Sequence, residues 1–396
     1  MKNTQSQIIK LVCTKCKEEY DYKERHTLCK SCSKVLFSMY DLEKAKETLS
    51  PKSIQKRKIS NIWRLHEIMP VIDSRFRFTL GEGGTPLLHL TNSKDILGLK
   101  NVLLKDEGQN PTGTFKSRGL CAAVSRGIEL GIQDFAIPTA GNAGAALSAY
   151  TAHTGTHAHV YMPKDTPQLL QSAVSNMGGH LELVTGLITD AAKKCRAAIE
   201  KHNWFDVSTL KEPYRVEGKK TMAFEVVEQL DWTVPDIMIY PTGGGTGIVG
   251  MWKAFDELES LGLIGSDRPR MVSVQSSGCA PIVKAFQEKK KSASFWENAQ
   301  TFAPGLRVPA AIGDYLILKA IYKSNGTAIE TTDSEIFSAM RKLAKTEGIM
   351  QSPEGAATYA ALIKLVNSGF ASPSDSIILF GTGSGLIYPT LWSNID

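Results

Sequence analysis

At 396 residues, with 42% hydrophobic and 22% charged side chains, the chain has length for two lobes and a small appendage and the composition of an ordinary globular protein. No apolar stretch approaches the ~20 residues of a membrane span, and Met1-Lys2-Asn3-Thr4-Gln5-Ser6 offers no apolar core for a secretory signal. The net charge of +6 is front-loaded: residues 1–64 carry 12 Lys and 3 Arg against 7 acidic residues, yet few interleaved aromatics, so a solvated basic surface is expected there, not a nucleic-acid site.

The first predicted element is a small module over residues 1–40. Cys13-Thr14-Lys15-Cys16 and Cys29-Lys30-Ser31-Cys32 are two Cys-x-x-Cys pairs separated by twelve residues. Each pair supplies half of a tetrahedral four-sulfur site, and the spacer suits a hairpin ribbon. Zinc is the expected metal, iron in a rubredoxin-like site its main rival, and a pair of disulfides the bland alternative, which a reducing compartment disfavours. Four thiolates leave no open coordination position, so the module reads as structural. Cys121, Cys195 and Cys279 stand alone and read as buried small hydrophobes. Residues 41–74, rich in Lys and Glu, read as an amphipathic helical connector.

Beyond it, short apolar runs alternate with longer helical stretches. The runs are Val102–Leu104, Phe135–Ile137, Ala158–Met162, Leu181–Val184, Ile237–Tyr240, Met271–Val274 and Ile377–Leu379. This is the rhythm of βαβ units, hence an α/β fold with parallel-type sheets flanked by helices.

Certain junctions between these elements carry chemistry. In Asn110-Pro111-Thr112-Gly113-Thr114-Phe115-Lys116-Ser117-Arg118-Gly119 a turn delivers one lysine to the start of a small-residue helix. A helix N-terminus disfavours the ammonium form of Lys116, and a neutral amine is the requirement for Schiff-base chemistry. Strand 135–137 leads through Thr139-Ala140-Gly141-Asn142 into an Ala-rich helix. Strand 237–240 opens into Gly243-Gly244-Gly245-Thr246-Gly247 before another helix, a backbone arrangement that surrounds an oxyanion with N–H groups. Strand 377–379 ends in Gly381-Thr382-Gly383-Ser384-Gly385, presenting hydroxyls where open α/β sheets bind ligands. Gly245–Gly250 also matches the dinucleotide pattern G-x-G-x-x-G. The following strand, however, runs into Gln275-Ser276-Ser277, with no acidic residue for a ribose. Glu354, in Ser352-Pro353-Glu354-Gly355, reads as a helix-capping carboxylate in preference to a catalytic one, with both readings open.

Taken in order, Gly81-Glu82-Gly83-Gly84-Thr85-Pro86-Leu87, the Lys116 motif, the Asn142 turn, the 243–247 loop and the Thr382 loop resemble the fold type II pyridoxal-phosphate enzymes. That is the group built like tryptophan synthase β. Lys105–Lys116 and Pro213-Tyr214-Arg215-Val216-Glu217-Gly218-Lys219-Lys220-Thr221 are similar, within it, to the threonine synthase family.

The resemblance implies a large lobe from residues 75–114 and 213–396, a small lobe from 115–212, and pyridoxal 5'-phosphate between them. Lys116 would hold the cofactor and later move protons. Asn142 would bond its phenolic oxygen, Gly243, Gly244, Gly245, Thr246 and Gly247 its phosphate, and Thr382 its pyridine nitrogen, with Ser384 the neighbouring alternative. Thr139 would receive the substrate carboxylate and Arg215 its phosphate, with Lys219 or Lys220 adding positive potential. The implied activity is conversion of O-phosphohomoserine and water to threonine and phosphate, by a cytoplasmic homodimer acting on a small amino-acid substrate. A serine/threonine ammonia-lyase or an O-phosphoserine-dependent β-replacement enzyme is the alternative. The chain departs from the family's pattern at Ala143, at Thr209-Leu210, at Ser117 and at Ile387.

Overall fold

The computed structural model describes residues 5–393; Met1–Thr4, the opening positions considered above for a secretory signal, and residues 394–396 lie outside the described residues. No described helix is long and apolar enough to cross a membrane.

Among the described residues three sheets form. The first is the ribbon: β1 (Ile8–Cys13), β2 (Glu19–Tyr20) and β3 (Leu36–Tyr40), antiparallel in the order β2-β1-β3. It is not a detached module, since Ile8, Leu11, Val35 and Tyr40 bury into the same apolar core as the helices behind the cavity described below.

The amphipathic connector expected over 41–74 is broken into α1 (Leu42–Lys46), α2 (Pro51–Gln55) and a 3-10 stretch, Ile62–Ile68, kinked at Leu65. Ser50 explains the break: it caps the second helix with Pro51 at the first helical position, a start signal that ends what precedes it. Ile62, Trp63, Leu65 and Ile68 are buried, so the segment is a packed strap and not a solvated linker.

Next come β4 (Leu87–His89), α3 (Thr91–Leu97), β5 (Asn101–Asp106), α4 (Lys116–Glu129), β6 (Asp134–Pro138), α5 (Asn142–Thr154) and β7 (His157–Pro163). They are followed by α6 (Gln168–Asn176), β8 (His180–Val184), α7 (Ile188–His202), β9 (Phe205–Asp206), α8 (Arg215–Gln229), β10 (Ile237–Pro241) and α9 (Thr246–Ser260). The chain continues through β11 (Arg270–Ser276), α10 (Pro281–Gln287), α11 (Asp314–Lys323), β12 (Thr327–Thr331), α12 (Asp333–Glu347), α13 (Pro353–Asn367), β13 (Ser376–Gly381) and α14 (Pro389–Ser393).

Six strands form one sheet in the order β12-β11-β10-β13-β5-β4, parallel except for β4 at one edge. Four more form a parallel sheet in the order β8-β7-β6-β9. The central strands explain the first sheet: every residue of β10 is buried and β13 is buried beyond its first residue, the signature of parallel strands covered on both faces. Ala339, Leu343, Ala356, Ala361 and Leu362 of α12 and α13 cover one face. On the other, Val226, Val227, Ile248 and Met251 of α8 and α9 merge with Leu120 and Val124 of α4 and with Phe135 and Val160 of the small sheet. All seven apolar runs read from the sequence are strands here.

Candidate active site

A narrow chamber of about 50 Å³ opens between the two sheets, lined among others by Lys116, Asn142, Arg215, Lys219, Gly244 and Thr382. It continues into a wider cavity of about 270 Å³ that adds Thr139 and Arg307.

The backbone brings these loops together by stitching one to another. Phe115 N–H donates to the Thr382 carbonyl at 3.1 Å and Ser384 N–H to the Gly113 carbonyl at 2.9 Å, so the lysine turn and the C-terminal hydroxyl loop are one structure. The turn itself uses left-handed backbone at Thr112 and Gly113. Behind it, Asn110 accepts from Gly83 N–H at 3.0 Å and donates to Glu107 Oε2 at 2.8 Å. Glu107 and Glu225 in turn clamp the Arg118 guanidinium at 2.5–2.7 Å, and Lys105 joins Glu225 at 2.8 Å. This fully buried network fixes Arg118 two residues from Lys116, and with it the start of α4.

Lys116 is the first residue of α4. Its amine is pushed down to about 8, chiefly by burial, with Arg215 adding repulsion and Glu354 opposing it. The sequence attributes the neutral amine to the helix terminus; the structure assigns it first to desolvation and a neighbouring cation.

Asn142 opens α5 after Gly141, whose φ of +124° only glycine readily adopts. Its amide nitrogen donates to Tyr388 Oη at 2.8 Å, while Oδ1 is buried without a partner. The loop before α9 is a cradle cut for something other than side chains. A Cβ on Gly244 would meet Thr209 Cγ2 at 2.5 Å, one on Gly243 would strike the Gly305 carbonyl, and one on Gly247 the Tyr240 hydroxyl. No side chain caps the helix that starts at Thr246, so its first N–H groups face the chamber unclaimed by one.

Thr382 is nearly buried in the chamber wall, whereas the Ser384 hydroxyl accepts from Leu386 N–H at 3.2 Å and caps the next turn. Thr139 Oγ1 accepts from Gly141 N–H at 3.0 Å and stands in the wider cavity with Asn142. Arg215, first residue of α8, donates through Nη1 to the Val207 carbonyl at 2.6 Å; its Nε is buried and unpartnered. Glu212 serves the Tyr214 and Arg215 N–H groups, and burial pushes its carboxyl up to about 7.

Glu354 corrects its sequence reading. Ser352 caps α13, and Glu354 turns inward, accepting from Gly305 N–H at 2.7 Å and from Tyr388 Oη at 3.4 Å. Sequence reasoning also left Lys219 and Lys220 undivided. Lys219 lines the chamber; Lys220 faces away, paired with Glu217 at 2.7 Å and Glu257 at 2.8 Å. Helical periodicity could have separated them, because Lys219 lies one turn after Arg215 on the same face.

The four ribbon cysteines also converge, their sulfurs within 4.8 Å of one another. Cys13–Cys32 and Cys16–Cys29 lie at 3.4 and 3.5 Å, none disulfide-bonded. A metal with ~2.3 Å bonds to sulfur spaces four thiolates tetrahedrally at about 3.8 Å, and these separations fit that arrangement. Cys121, Cys195 and Cys279 are buried and free.

A deeply placed amine, a glycine cradle at a helix start and an amide oxygen without a partner, in one chamber between the two sheets, are the features of enzymes that hold an aldehyde cofactor bearing a phosphate. The chain belongs to the pyridoxal-phosphate dependent enzyme family, whose pattern it matches over residues 78–383. It is 36% identical over 378 residues to a threonine synthase from Methanocaldococcus jannaschii, covering 95% of this chain and 92% of that one. A threonine synthase from Methanosarcina acetivorans is 34% identical over 374 residues, with 94% and 91% covered. Among solved structures, maize serine racemase superposes with a TM-score of 0.68 at 22% identity, over 78% of this chain and 90% of that one, a likeness of fold.

Proposed function

We propose that the protein is a threonine synthase, converting O-phosphohomoserine and water to L-threonine and phosphate. The observation that carries the reading is similarity to threonine synthases along almost the whole chain, joined to a chamber in which Arg215 stands unpaired beside Lys116. When bound, pyridoxal phosphate supplies an electron-withdrawing ring that accepts the electrons released at the substrate's carbons.

The chain's own residues supply the rest. Lys116 would hold the cofactor through its amine, and the same amine stands where it would move protons at the substrate's Cα and Cβ. Asn142 orients the ring oxygen, and Gly243, Gly244, Gly245, Thr246 and Gly247 surround the cofactor's phosphate with N–H groups. Thr382 offers a neutral hydroxyl to the ring nitrogen. A hydroxyl there leaves that nitrogen unprotonated and moderates electron withdrawal, which suits β- and γ-chemistry. Thr139 and its turn receive the substrate carboxylate, and the free edge of Arg215 receives the phosphate that departs. A large lobe of residues 75–114 and 213–396 and a small lobe of 115–212 face each other across this chamber, with 1–40 and 41–74 as module and strap.

Ala143 and Thr209-Leu210 supply fewer polar groups to a leaving phosphate than the family's pattern does, which favours an ammonia-lyase or β-replacement enzyme as the second reading. O-phosphohomoserine, threonine, serine and O-phosphoserine offered side by side decide between them. Phosphate release matched mole for mole by threonine is expected. Keto-acid formation from serine or threonine alone would replace the reading with the lyase.

Cys13, Cys16, Cys29 and Cys32 hold one structural zinc in this proposal. Metal analysis should return one equivalent of zinc per chain, lost when Cys13 and Cys16 are both changed to Ser; iron in its place would reassign the site. Free thiols throughout suit a reducing cytoplasm, and the family resemblance suits a homodimer.

A further inference from the structure

The buried cations around the chamber divide by whether a carboxylate meets them. Lys105 and Arg118 are paired with Glu107 and Glu225, and Lys220 and Lys253 with Glu217 and Glu257, at 2.5–2.8 Å. Lys219, equally buried, has no carboxylate within ion-pair distance among the described residues. One of its three N–H bonds goes to the Phe115 carbonyl. Its ammonium lies 4.0 Å from the centre of the Phe115 ring, over which Lys116 Nζ also lies, at 4.5 Å.

Two glycines aim this side chain. A Cβ on Gly119 of α4 would meet Lys219 Cε at 3.0 Å, and one on Gly250 of α9 would meet Lys219 Cβ at 3.1 Å. The stem therefore rises through a slot between two helices. Helical side chains lean toward the N-terminus, so the amine is delivered where α4, α8 and α9 all begin. The same place is lined by the Gly243–Thr246 loop and by Arg215. Three helix starts and two unpaired side chains make it strongly electropositive, with Glu354 the one carboxylate lining the chamber. A buried cation left alone costs several kcal/mol, so such an amine either sheds its proton or meets an anion from outside the chain.

We propose that Lys219 is a phosphate-anchoring residue, the cation that meets a phosphate monoester dianion seated in the 243–247 cradle. The inference rests on the cofactor reading above and extends it: the loop's N–H groups shape the seat, and Lys219 supplies its countercharge. The cofactor's own phosphate is the favoured source because the slot opens at the cradle; the substrate's phosphate carries the same chemistry. Without an anion, burial, Lys116 and Arg215 hold the Lys219 amine well below an ordinary lysine. A dianion reverses that balance and charges it.

The test compares the binding of pyridoxal phosphate and of phosphate-free pyridoxal to cofactor-free protein, read by absorbance, with Lys219→Gln keeping the bond to Phe115. A charge-assisted contact is worth roughly ten- to hundredfold in affinity. Lys219→Gln should therefore weaken pyridoxal phosphate by about that factor and leave pyridoxal unchanged, with Lys219→Arg restoring the preference. If pyridoxal phosphate binds normally but inorganic phosphate loses a similar factor as an inhibitor of the holoenzyme, the anchor serves the substrate's phosphate. Equal weakening of both aldehydes, or no change in either assay, overturns the proposal. Should Lys219→Gln fail to fold, Lys219→Met decides on the same two ratios. Wild-type protein that binds neither aldehyde would overturn the cofactor reading first, and this inference with it. Loss of threonine formation alone would leave the binding comparison standing.

Discussion

Two groups of buried charges sit within a few residues of each other on α4 and α8, and they are built on opposite plans. Arg118 and Lys105 lie among Glu107, Glu225, Thr85 and Gln229, each donor matched to an acceptor. Lys116, Arg215 and Lys219 face a cavity whose one lining carboxylate, Glu354, is already engaged by a backbone N–H and a tyrosine. The first group needs nothing further and fixes the loop that presents Lys116. A charge balanced within the chain builds architecture; a charge left unbalanced beside it is an opening for a ligand.

The comparison is broken most directly at Arg118. Arg118→Met leaves Glu107 without its ion-pair partner among the described residues and Glu225 with Lys105 alone. Removing one member of a buried ion network costs about 3–5 kcal/mol, so urea denaturation should show a loss of that size, with or without cofactor. A loss below about 1 kcal/mol would mean the network does not hold the site, and the distinction between the two groups would fail.

How far the sequence reveals this plan depends on which forces act locally. Six of the seven strands read from the sequence are interior, legible because strands covered on both faces must be continuous apolar runs; the seventh, β8, is a partly exposed edge strand marked by its own Leu181, Leu183 and Val184. Two other edge strands gave no such signal: β12, with two threonines and a glutamate in five residues, and β9, two residues long, take their shape from a neighbour. The loop before α9 was legible as a tight glycine-rich junction, and Cβ atoms at Gly243, Gly244 and Gly247 indeed have no room. Lys219 shares a helix face with Arg215 by periodicity, but the slot that its stem follows is set by Gly119 and Gly250 on two other helices, which no local pattern shows. Glu354 carried a helix-start pattern that Ser352 satisfies, so its inward turn depends on Gly305, 49 residues away. The connector's helical composition shows in the sequence, while its division into short pieces comes from Ser50-Pro51 and the kink at Leu65.

The finer test of the comparison is the pH dependence of cofactor-free protein. Lys116 has a folded value of about 8 against an ordinary lysine near 10.5. Below pH 8 both folded and unfolded chains carry the proton, and the folded chain bears the full cost of an ammonium in the chamber. Between pH 8 and 10.5 the unfolded chain binds more protons than the folded one, so stability rises with pH; above 10.5 the cost is gone. A shift of this size corresponds to on the order of 3 kcal/mol at most. Lys116→Met should thus be more stable than wild type at pH 7, by less than the Arg118→Met loss, and the two should converge by about pH 10.5. Urea midpoints across that range measure it. A lysine of the paired group gives the opposite result, since Lys105→Met removes one of the two cations that Glu225 meets and leaves it Arg118 alone. If Lys116→Met instead weakened the fold at pH 7, Lys116 would belong with the architectural charges, and its amine would be compensated within the chain after all.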